Sequence, residues 1–240
     1  MMASMAGTPR QRARAQTMAD ITRIGREHLA GYGAAALSLR AVARDLGVVS
    51  SAIYRYVASR DDLLTLLVVD GYEELADAVS GALAEVRDAS ARERFLVCGR
   101  AVRHYALAEP SMYALLYGAP VPGYEAPAEQ TTEPGTRVAR LLLEIVSDAY
   151  AAGELESSDD GPVPSAGLAE GLDAVRAQFD VALPDAVLTR GVVVMASLFG
   201  GVSFEVFGQY GPDGLGDPEA LFEQHLAMLA ADLGLSGLSG

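Results

Sequence analysis

The chain has 240 residues, half of them hydrophobic, which is enough apolar side chain to bury a core and excludes an intrinsically disordered protein. Its single cysteine, Cys98, excludes an internal disulfide framework, and three scattered histidines add no recognisable metal cluster. The formal net charge of -14 is unevenly spread, because residues 1–60 hold nine arginines and three acids, a net of +6, and the rest has a net of -20.

The basic amino-terminal end suits an anionic partner. Electrostatic recognition depends on the surface presented, because screening limits its range to about 8 Å at physiological salt. A chain that is acidic in total can therefore still bind nucleic acid. Residues 1–16 are basic and no apolar run follows them, which favours a flexible arm on a cytoplasmic protein over a secretory signal. The arginines of this arm are Arg10, Arg12 and Arg14.

Helical periodicity dominates the chain and strand-type alternation is absent, so we predict an all-α fold. A first helix is expected to end near Gly33. A second begins behind Ser38, a suitable N-cap, and stops at Gly47. A third, very short helix covers about residues 50–56.

Later helices are marked by caps and by proline or glycine. Capping boxes at Ser59–Asp62 and Ser90–Glu93 predict two helices, of which the first is long and joins the two predicted domains. A short helix is expected over 111–117. Pro134 is expected in the first turn of an amphipathic helix closed by Gly153, and a solvated acidic loop follows.

The last two helices are the most apolar. Pro184 opens a helix whose run from 191 to 207 is apolar nearly all round, but it is too short, and too broken by Ser203 and Glu205, to span a membrane. An acid there is unfavourable unless it is paired, exposed or reaches a cavity. Such a helix must be covered on every side, so we expect the chain's own core on one side and a second subunit on the other. The final helix would add a second strip to that interface through Phe222, Leu226, Leu229 and Leu233.

Three residues stand at the spacing of a helix-turn-helix. Ala43 is small enough for two helices to cross closely, Gly47 is free to take a positive φ at the turn, and Ile53 is a branched apolar plug beneath the third helix. In this motif the second of its two helices, which is the third helix of this chain, enters the major groove, where side chains reach base edges. The spacing therefore indicates a DNA-binding unit.

The surrounding segment, SLRAVARDLGVVSSAIYRYVASRDDLL, resembles the DNA-binding segment of the tetracycline-repressor (TetR) family of bacterial transcription regulators. The resemblance covers roughly Thr17–Leu67. It departs from the family pattern at Val49, where Ser or Thr is frequent, at Tyr56 in place of histidine, and at Arg60 in place of lysine. We expect the first two departures to affect operator preference and not the fold.

The resemblance also implies which side chains contact DNA. The chemistry agrees, since the arginine fork matches guanine O6 and N7, with about 1–3 kcal/mol of discrimination, and tyrosine hydroxyls suit phosphates. Arginines of the arm would add salt-dependent affinity. The alternatives are ordinary packing for Tyr54 or Tyr56 and a solvated surface for Arg40 and Arg55. The implied base contacts are Arg40, Ser50, Ser51, Ala52, Tyr54 and Arg55, and the implied phosphate contacts are Ser38, Tyr56 and Arg60.

A second resemblance lies downstream. The stretches EPSMYALLYGAPVPGYEAP and LFGGVSFEVFG are similar to the C-terminal domain of the TetR subgroup named for a Trp-His-Gly signature. The chain keeps Gly200 but has Met195 and Phe199 where the tryptophan and histidine fall. A cavity for a small effector is expected here, with ordinary core packing as the alternative for each candidate. The candidates are His104, Met112, Tyr113, Leu116, Tyr117, Phe179 and Phe204.

Together these patterns predict an all-α, two-domain, homodimeric transcription regulator. Residues 1–58 would form the arm and the three-helix DNA-binding domain, and residues 59–240 the larger effector-binding and dimerisation domain. We expect a repressor of a palindromic double-stranded DNA operator, released by a small, largely apolar effector, with no cofactor, metal or membrane. An enzyme is disfavoured because hydrolase, phosphate-loop and dinucleotide motifs are absent. The alternative is a ligand-responsive helical module that binds a protein partner and not DNA.

Overall fold

The structure is a computed structural model that describes residues 8–155, 163–211 and 215–235. These ranges contain ten α-helices, one 3-10 helix and no strand, so the predicted all-α fold is confirmed. Residues 1–7 of the predicted arm, and 156–162 of the acidic loop, lie outside the described residues. In chain order the elements are α1 (Pro9–Tyr32), the 3-10 helix (Ala34–Ala36), α2 (Leu39–Asp45), α3 (Ser50–Ile53), α4 (Arg60–Glu85), α5 (Ala91–Ala108), α6 (Pro110–Tyr117), α7 (Ala128–Ala151), α8 (Ala166–Phe179), α9 (Asp185–Val206) and α10 (Pro218–Asp232).

Contacts divide the described chain into two compact units. The head unit comprises the described residues up to Glu73 together with Ser111–Gly135. The body unit comprises Glu74–Pro110 together with the described residues from Thr136 onward. The unit that contains the predicted helix-turn-helix thus continues into α4 and includes α6, whereas the functional division after residue 58 stays a prediction.

The core of the head unit lies beneath the first three helices. α1 packs on α2, and α2 packs on α3. Ile21 of α1, Val42 of α2 and Ile53 of α3 are almost completely buried. Full burial of a side chain of this kind contributes about 1.5–3 kcal/mol. This core fixes one side of α3 and leaves the other side to solvent.

Helix α1 begins at Pro9, so the prediction that Arg10, Arg12 and Arg14 lie in a flexible arm was wrong. Thr8 Oγ1 accepts a hydrogen bond from the Gln11 backbone N–H at 3.3 Å, and Gln11 Oε1 accepts one from the Thr8 N–H at 2.7 Å. This reciprocal pair is a capping box, and Pro9 suits the first helical position. Charge indicated an arm, but the cap begins a helix.

Two other helix starts differ from the prediction. Helix α7 begins at Ala128, so Pro134 lies inside it and not in its first turn. An internal proline removes one backbone hydrogen bond, and the helix nevertheless continues through it. Ser38 holds the N-cap position of α2, but its side chain makes no capping hydrogen bond.

The body unit is built around α9, which packs on α5, α8 and α10. α10 also packs on α5, at Gly99, where any side chain would collide with Leu226. The apolar stripe of α10 is therefore covered within the chain, and its prediction as a strip for a second subunit was wrong. The buried residues concerned are Phe222, Leu226, Leu229 and Leu233.

Among the described residues, α9 is the one helix whose length and mean hydropathy, 1.7 over 18 residues, are those of a membrane span; 28% of that stretch is buried. A helix packed inside a soluble protein meets the same two conditions. α9 packs on three other helices and carries Glu205, which is paired with Arg103. One side of α9 is therefore packed within the chain, and the other side is exposed.

Candidate nucleic-acid interface

The turn between α2 and α3 has the predicted geometry. Gly47 has φ +74°, a conformation that side chains other than glycine rarely adopt. The Val48 N–H donates to the Ala43 carbonyl at 3.0 Å, which closes the end of α2. Ala43 and Ile53 are buried where the two helices meet. The three residues that indicated a helix-turn-helix are therefore confirmed in their structural roles.

The outward side of residues 50–55, which form α3 and the turn after it, carries polar and aromatic groups; α3 itself ends at Ile53, earlier than the predicted residue 56. Ser50, Ser51 and Arg55 are exposed, and Tyr54 is 46% exposed, so none of them belongs to the core. Ala52 is half-buried. Because Ile53 anchors the helix from below, this row has a fixed position on the head unit. The structure brings these five of the six implied base contacts together, and their contact with DNA stays a prediction.

Arg40 and Arg55 keep their charge unneutralised within the described part of the chain. Both are exposed, and neither forms an ion pair there. Arg44, by contrast, donates from Nε to Asp45 Oδ1 at 3.1 Å. Arg40 lies on α2, one helix away from Arg55. Helix α2 and the turn after α3 thus present guanidinium groups that remain available to an anion or to a base edge.

Asp45 connects α2 to α1. Its Oδ2 lies 2.7 Å from His28 Nε2, and the His28 ring packs edge-on to Tyr32 with centroids 5.7 Å apart. The hydrogen bond from His28, together with that from Arg44, lowers the pKa of Asp45. Sequence reasoning missed this contact, because helical periodicity places His28 on the inner face without naming its partner.

The three predicted phosphate contacts differ in how they are held. Arg60 Nη2 donates to the Ala34 carbonyl at 2.9 Å and to the Ala35 carbonyl at 3.4 Å, so this guanidinium ties the start of α4 to the 3-10 helix. Tyr56 and Ser38 are half-buried. All three lie in the head unit, and contact with phosphate stays a prediction for each.

Known proteins resemble this chain along most of its length. Residues 95–229 match the family described as tetracyclin repressor-like, C-terminal domain. HTH-type transcriptional regulators of Mycobacterium tuberculosis and Mycobacterium bovis are 43% identical to it over 225 residues, which is 93% of this chain and 95% of each relative. The chain belongs to the TetR family of transcriptional regulators.

Solved structures share the fold of this chain. A regulatory protein of known crystal structure has a TM-score of 0.75 and 34% identity, covering 93% of this chain and 100% of its own. The TetR regulator PfmR of Thermus thermophilus has a TM-score of 0.58 at 16% identity, covers 90% and 99%, and shows the shared fold alone. As a TetR-family member the chain is a DNA-binding transcriptional regulator and not an enzyme.

Four of the predicted effector-binding residues of this TetR protein lie on α6, in the head unit. Met112 and Tyr113 are fully buried, and Leu116 and Tyr117 are half-buried. Met112 packs over Gly71 of α4 so closely that a Cβ on that glycine would lie 2.8 Å from Met112 Sδ. Such packing is what the ordinary-core alternative predicts for Met112.

The other three candidates lie in the body unit and are not equivalent. Exposed His104 lines a surface groove of about 240 Å³. Phe179 is half-buried under Arg140, with the guanidinium carbon 5.2 Å from the ring centroid. Phe204 is 52% exposed and packs beside Tyr210. The groove beside His104 is also lined by Arg100, Arg103, Leu107, Glu219, Phe222 and Glu223.

Glu205 is paired, which is one of the three conditions under which an acid in α9 was expected to be tolerated. Arg103 of α5 donates to it through Nε at 2.8 Å and Nη2 at 2.7 Å. The exposed fractions of the two side chains are 18% and 13%. The pair raises the pKa of Arg103, mainly through these hydrogen bonds. Sequence alone did not name the partner, because the two residues are 102 positions apart.

Proposed function

We propose that this TetR-family regulator is a cytoplasmic repressor that binds a palindromic operator as a homodimer and is released by a small, largely apolar effector. The observation that supports DNA reading best is the exposed row on α3, anchored from below by buried Ile53. Arg40 and Arg55 carry unneutralised charge beside that row. Side chains that contact base edges on DNA must be exposed to solvent in the free protein, and these are.

On DNA, each subunit would place α3 in one major groove. Two such helices related by a twofold axis meet half-sites about 34–36 Å apart, which is one turn of the duplex. Arg40 and Arg55 would contact base edges, and Ser38 and Arg60 would contact phosphates on either side. Arg60 would use the N–H groups that do not bond to the Ala34 and Ala35 carbonyls, and one of these nitrogens lies 3.5 Å from Asp61 Oδ1.

Apolar residues on the outer sides of α9 and α10 support the homodimer. α9 is the most apolar long helix described, yet a large part of it stays exposed in the single chain. Exposed apolar groups on neighbouring helices of one unit mark an association surface. We assign them the role that the sequence had predicted for the stripe of α10, which is covered within the chain. The exposed apolar residues are Val192, Val193, Phe204, Phe207 and Met228.

Release by an effector would follow from population shift. A ligand that binds better to a conformation with a different separation of the two recognition helices moves the population away from the DNA-binding form. A small apolar molecule fits the hydrophobic composition of the chain. The predicted candidates for its contacts lie on α6 in the head unit and on α5, α8 and α9 in the body unit, and contact with an effector stays a prediction for each.

The test compares Arg40→Ala and Tyr54→Ala with Arg87→Ala, an exposed arginine of the body unit. Operators are first selected from random duplexes with the unaltered protein, and binding is then measured by mobility shift. Arg40→Ala and Tyr54→Ala should lose operator binding with unchanged unfolding curves, whereas Arg87→Ala should bind normally. Normal binding by both head variants would contradict the contact assignment.

A further inference from the structure

The first turns of α1 lie against the residues that follow the recognition helix. The guanidinium carbon of Arg14 is 5.3 Å from the centroid of the Tyr56 ring. At this distance a cation over an aromatic face is attracted by the ring quadrupole. Arg14 is exposed and Tyr56 is half-buried, so the ring is a fixed platform for a long side chain that would otherwise move freely in solvent.

Helix geometry separates Arg14 from its neighbour Arg12. Because α1 is helical from Pro9, Arg10 and Arg14 lie one turn apart on the same face. Arg12, two residues from each, projects from roughly the opposite side. The three arginines carry equal charge, but within the described part of the chain only Arg14 stacks on an aromatic ring.

The charge of Arg14 is not neutralised within the described residues of the head unit. It forms no ion pair there. Two acids of α1 already have partners, since Asp20 accepts from Gln16 at 3.4 Å and Glu27 pairs with Arg23 at 2.7 Å. A guanidinium held over an aromatic face uses none of its N–H groups in an ion pair, so they can donate to a phosphate oxygen.

We propose that Tyr56 positions Arg14 to contact a DNA phosphate beside the recognition helix, so that α1 forms part of the DNA interface. The inference rests on the DNA-binding function proposed above. Arg14 is the contacting residue, and Tyr56 acts through it as a positioning residue. The effect of Tyr56 on DNA affinity then comes mainly from its aromatic ring and not from its hydroxyl.

The experiment uses the full chain, a selected operator and fluorescence anisotropy over a range of salt concentrations. The variants are Arg14→Ala, Tyr56→Ala, the double variant, Tyr56→Phe and the control Arg12→Ala. Loss of one phosphate contact per subunit should flatten the slope of log affinity against log salt by about 2 for a dimer. We expect this, with roughly tenfold weaker binding, for Arg14→Ala and Tyr56→Ala.

The double variant should bind no more weakly than the weaker single variant, because both remove the same contact. Tyr56→Phe, which keeps the ring, should bind within about twofold of the unaltered chain. Arg12→Ala removes an equal charge from the other side of α1 and should lose clearly less affinity than Arg14→Ala. Three results would each overturn the proposal. They are a double variant whose loss of affinity is the sum of the two single losses, equal losses of affinity for Arg12→Ala and Arg14→Ala, and a Tyr56→Phe variant that binds as weakly as Tyr56→Ala. If the unaltered chain binds no duplex, it is the proposed function that fails; if it binds and these patterns are missing, only the role of Tyr56 and Arg14 fails.

Discussion

The arginines of the head unit and of the body unit differ in what their guanidinium groups contact. In the body unit Arg94, Arg100, Arg103 and Arg137 each pair with an acid of another helix. In the head unit Arg10, Arg12, Arg40 and Arg55 form no ion pair within the described residues. The basic excess of the first 60 residues explains this, because only three acids are present there. The head unit also has arginines paired with acids, namely Arg23, Arg26, Arg44 and Arg60, but the four without an ion pair lie exposed on its surface and are left for an external partner.

This comparison separates stability from binding. Removing a paired arginine of the body unit leaves an acid without its partner, whereas removing an exposed arginine of the head unit leaves no such group. Changes in the body unit should therefore act on the free energy of unfolding. Changes on the head surface should act on DNA affinity. Arg60 is one of the head arginines whose guanidinium already has partners, since it donates to two backbone carbonyls and lies 3.5 Å from Asp61 Oδ1.

The largest expected effect on stability is at Arg103. Arg103→Ala leaves the little-exposed Glu205 carboxylate unpaired, and we expect the free energy of unfolding to fall by about 2–3 kcal/mol. Urea denaturation measures the loss. Arg100→Ala is the matched control on the same helix: its bond to Glu223 is also bidentate but more exposed, and should be worth about 1 kcal/mol or less. Equal losses for the two variants would contradict the assignment.

Arg55→Ala tests the opposite side of the comparison. We expect operator affinity to fall by about 1–3 kcal/mol, while the free energy of unfolding changes by less than about 0.5 kcal/mol. Arg55→Lys keeps the charge without the planar fork, so it should retain the salt dependence and lose discrimination between bases. Binding to operators with single base changes measures this. An Arg55→Ala variant that unfolds more easily but binds as before would remove Arg55 from the interface.

Arg60→Ala should act mainly on stability, although the residue lies in the head unit. Losing the bonds to the Ala34 and Ala35 carbonyls is expected to cost about 1–2 kcal/mol, since hydrogen bonds from charged donors exceed neutral ones. Thermal and urea unfolding report this loss. Arg60→Lys keeps a charged donor without the planar guanidinium, so its free energy of unfolding should lie between those of the unaltered chain and Arg60→Ala. If Arg60→Ala keeps full stability and loses DNA binding, phosphate contact is its principal role.

The smallest effect concerns acid pH and Asp45. The pKa of this carboxyl is held below its ordinary value of 3.8 by His28 and Arg44, so the ionised form is favoured in the folded chain. Its stabilisation is therefore present above about pH 3.8 and is lost as the pH falls through the lower folded pKa. Asp45→Asn should be less stable than the unaltered chain at neutral pH, with the difference shrinking towards pH 3. A constant difference across that range would show that the carboxylate charge is not involved.

Local patterns predicted the turn and the helix-turn-helix core, because Ala43, Gly47 and Ile53 act through neighbours a few residues away. Contacts between distant positions were missed. His28 and Asp45 are 17 residues apart and Arg60 and Ala34 are 26 apart, and no short-range signal joins them. Periodicity likewise found the apolar stripe of α10 but did not identify what covers it. The helical start of α1 was readable from Thr8 and Gln11, and was overlooked because charge indicated an arm.

Selection of random-sequence duplexes by the purified chain tests the central claim most directly. The recognition surface on α3, presented twice by a homodimer, predicts enrichment of a palindromic sequence whose half-sites are centred about 10 base pairs apart. Binding to it should weaken steeply as salt is raised. Recovery of no enriched sequence at low salt, by a chain that is folded, would contradict the account.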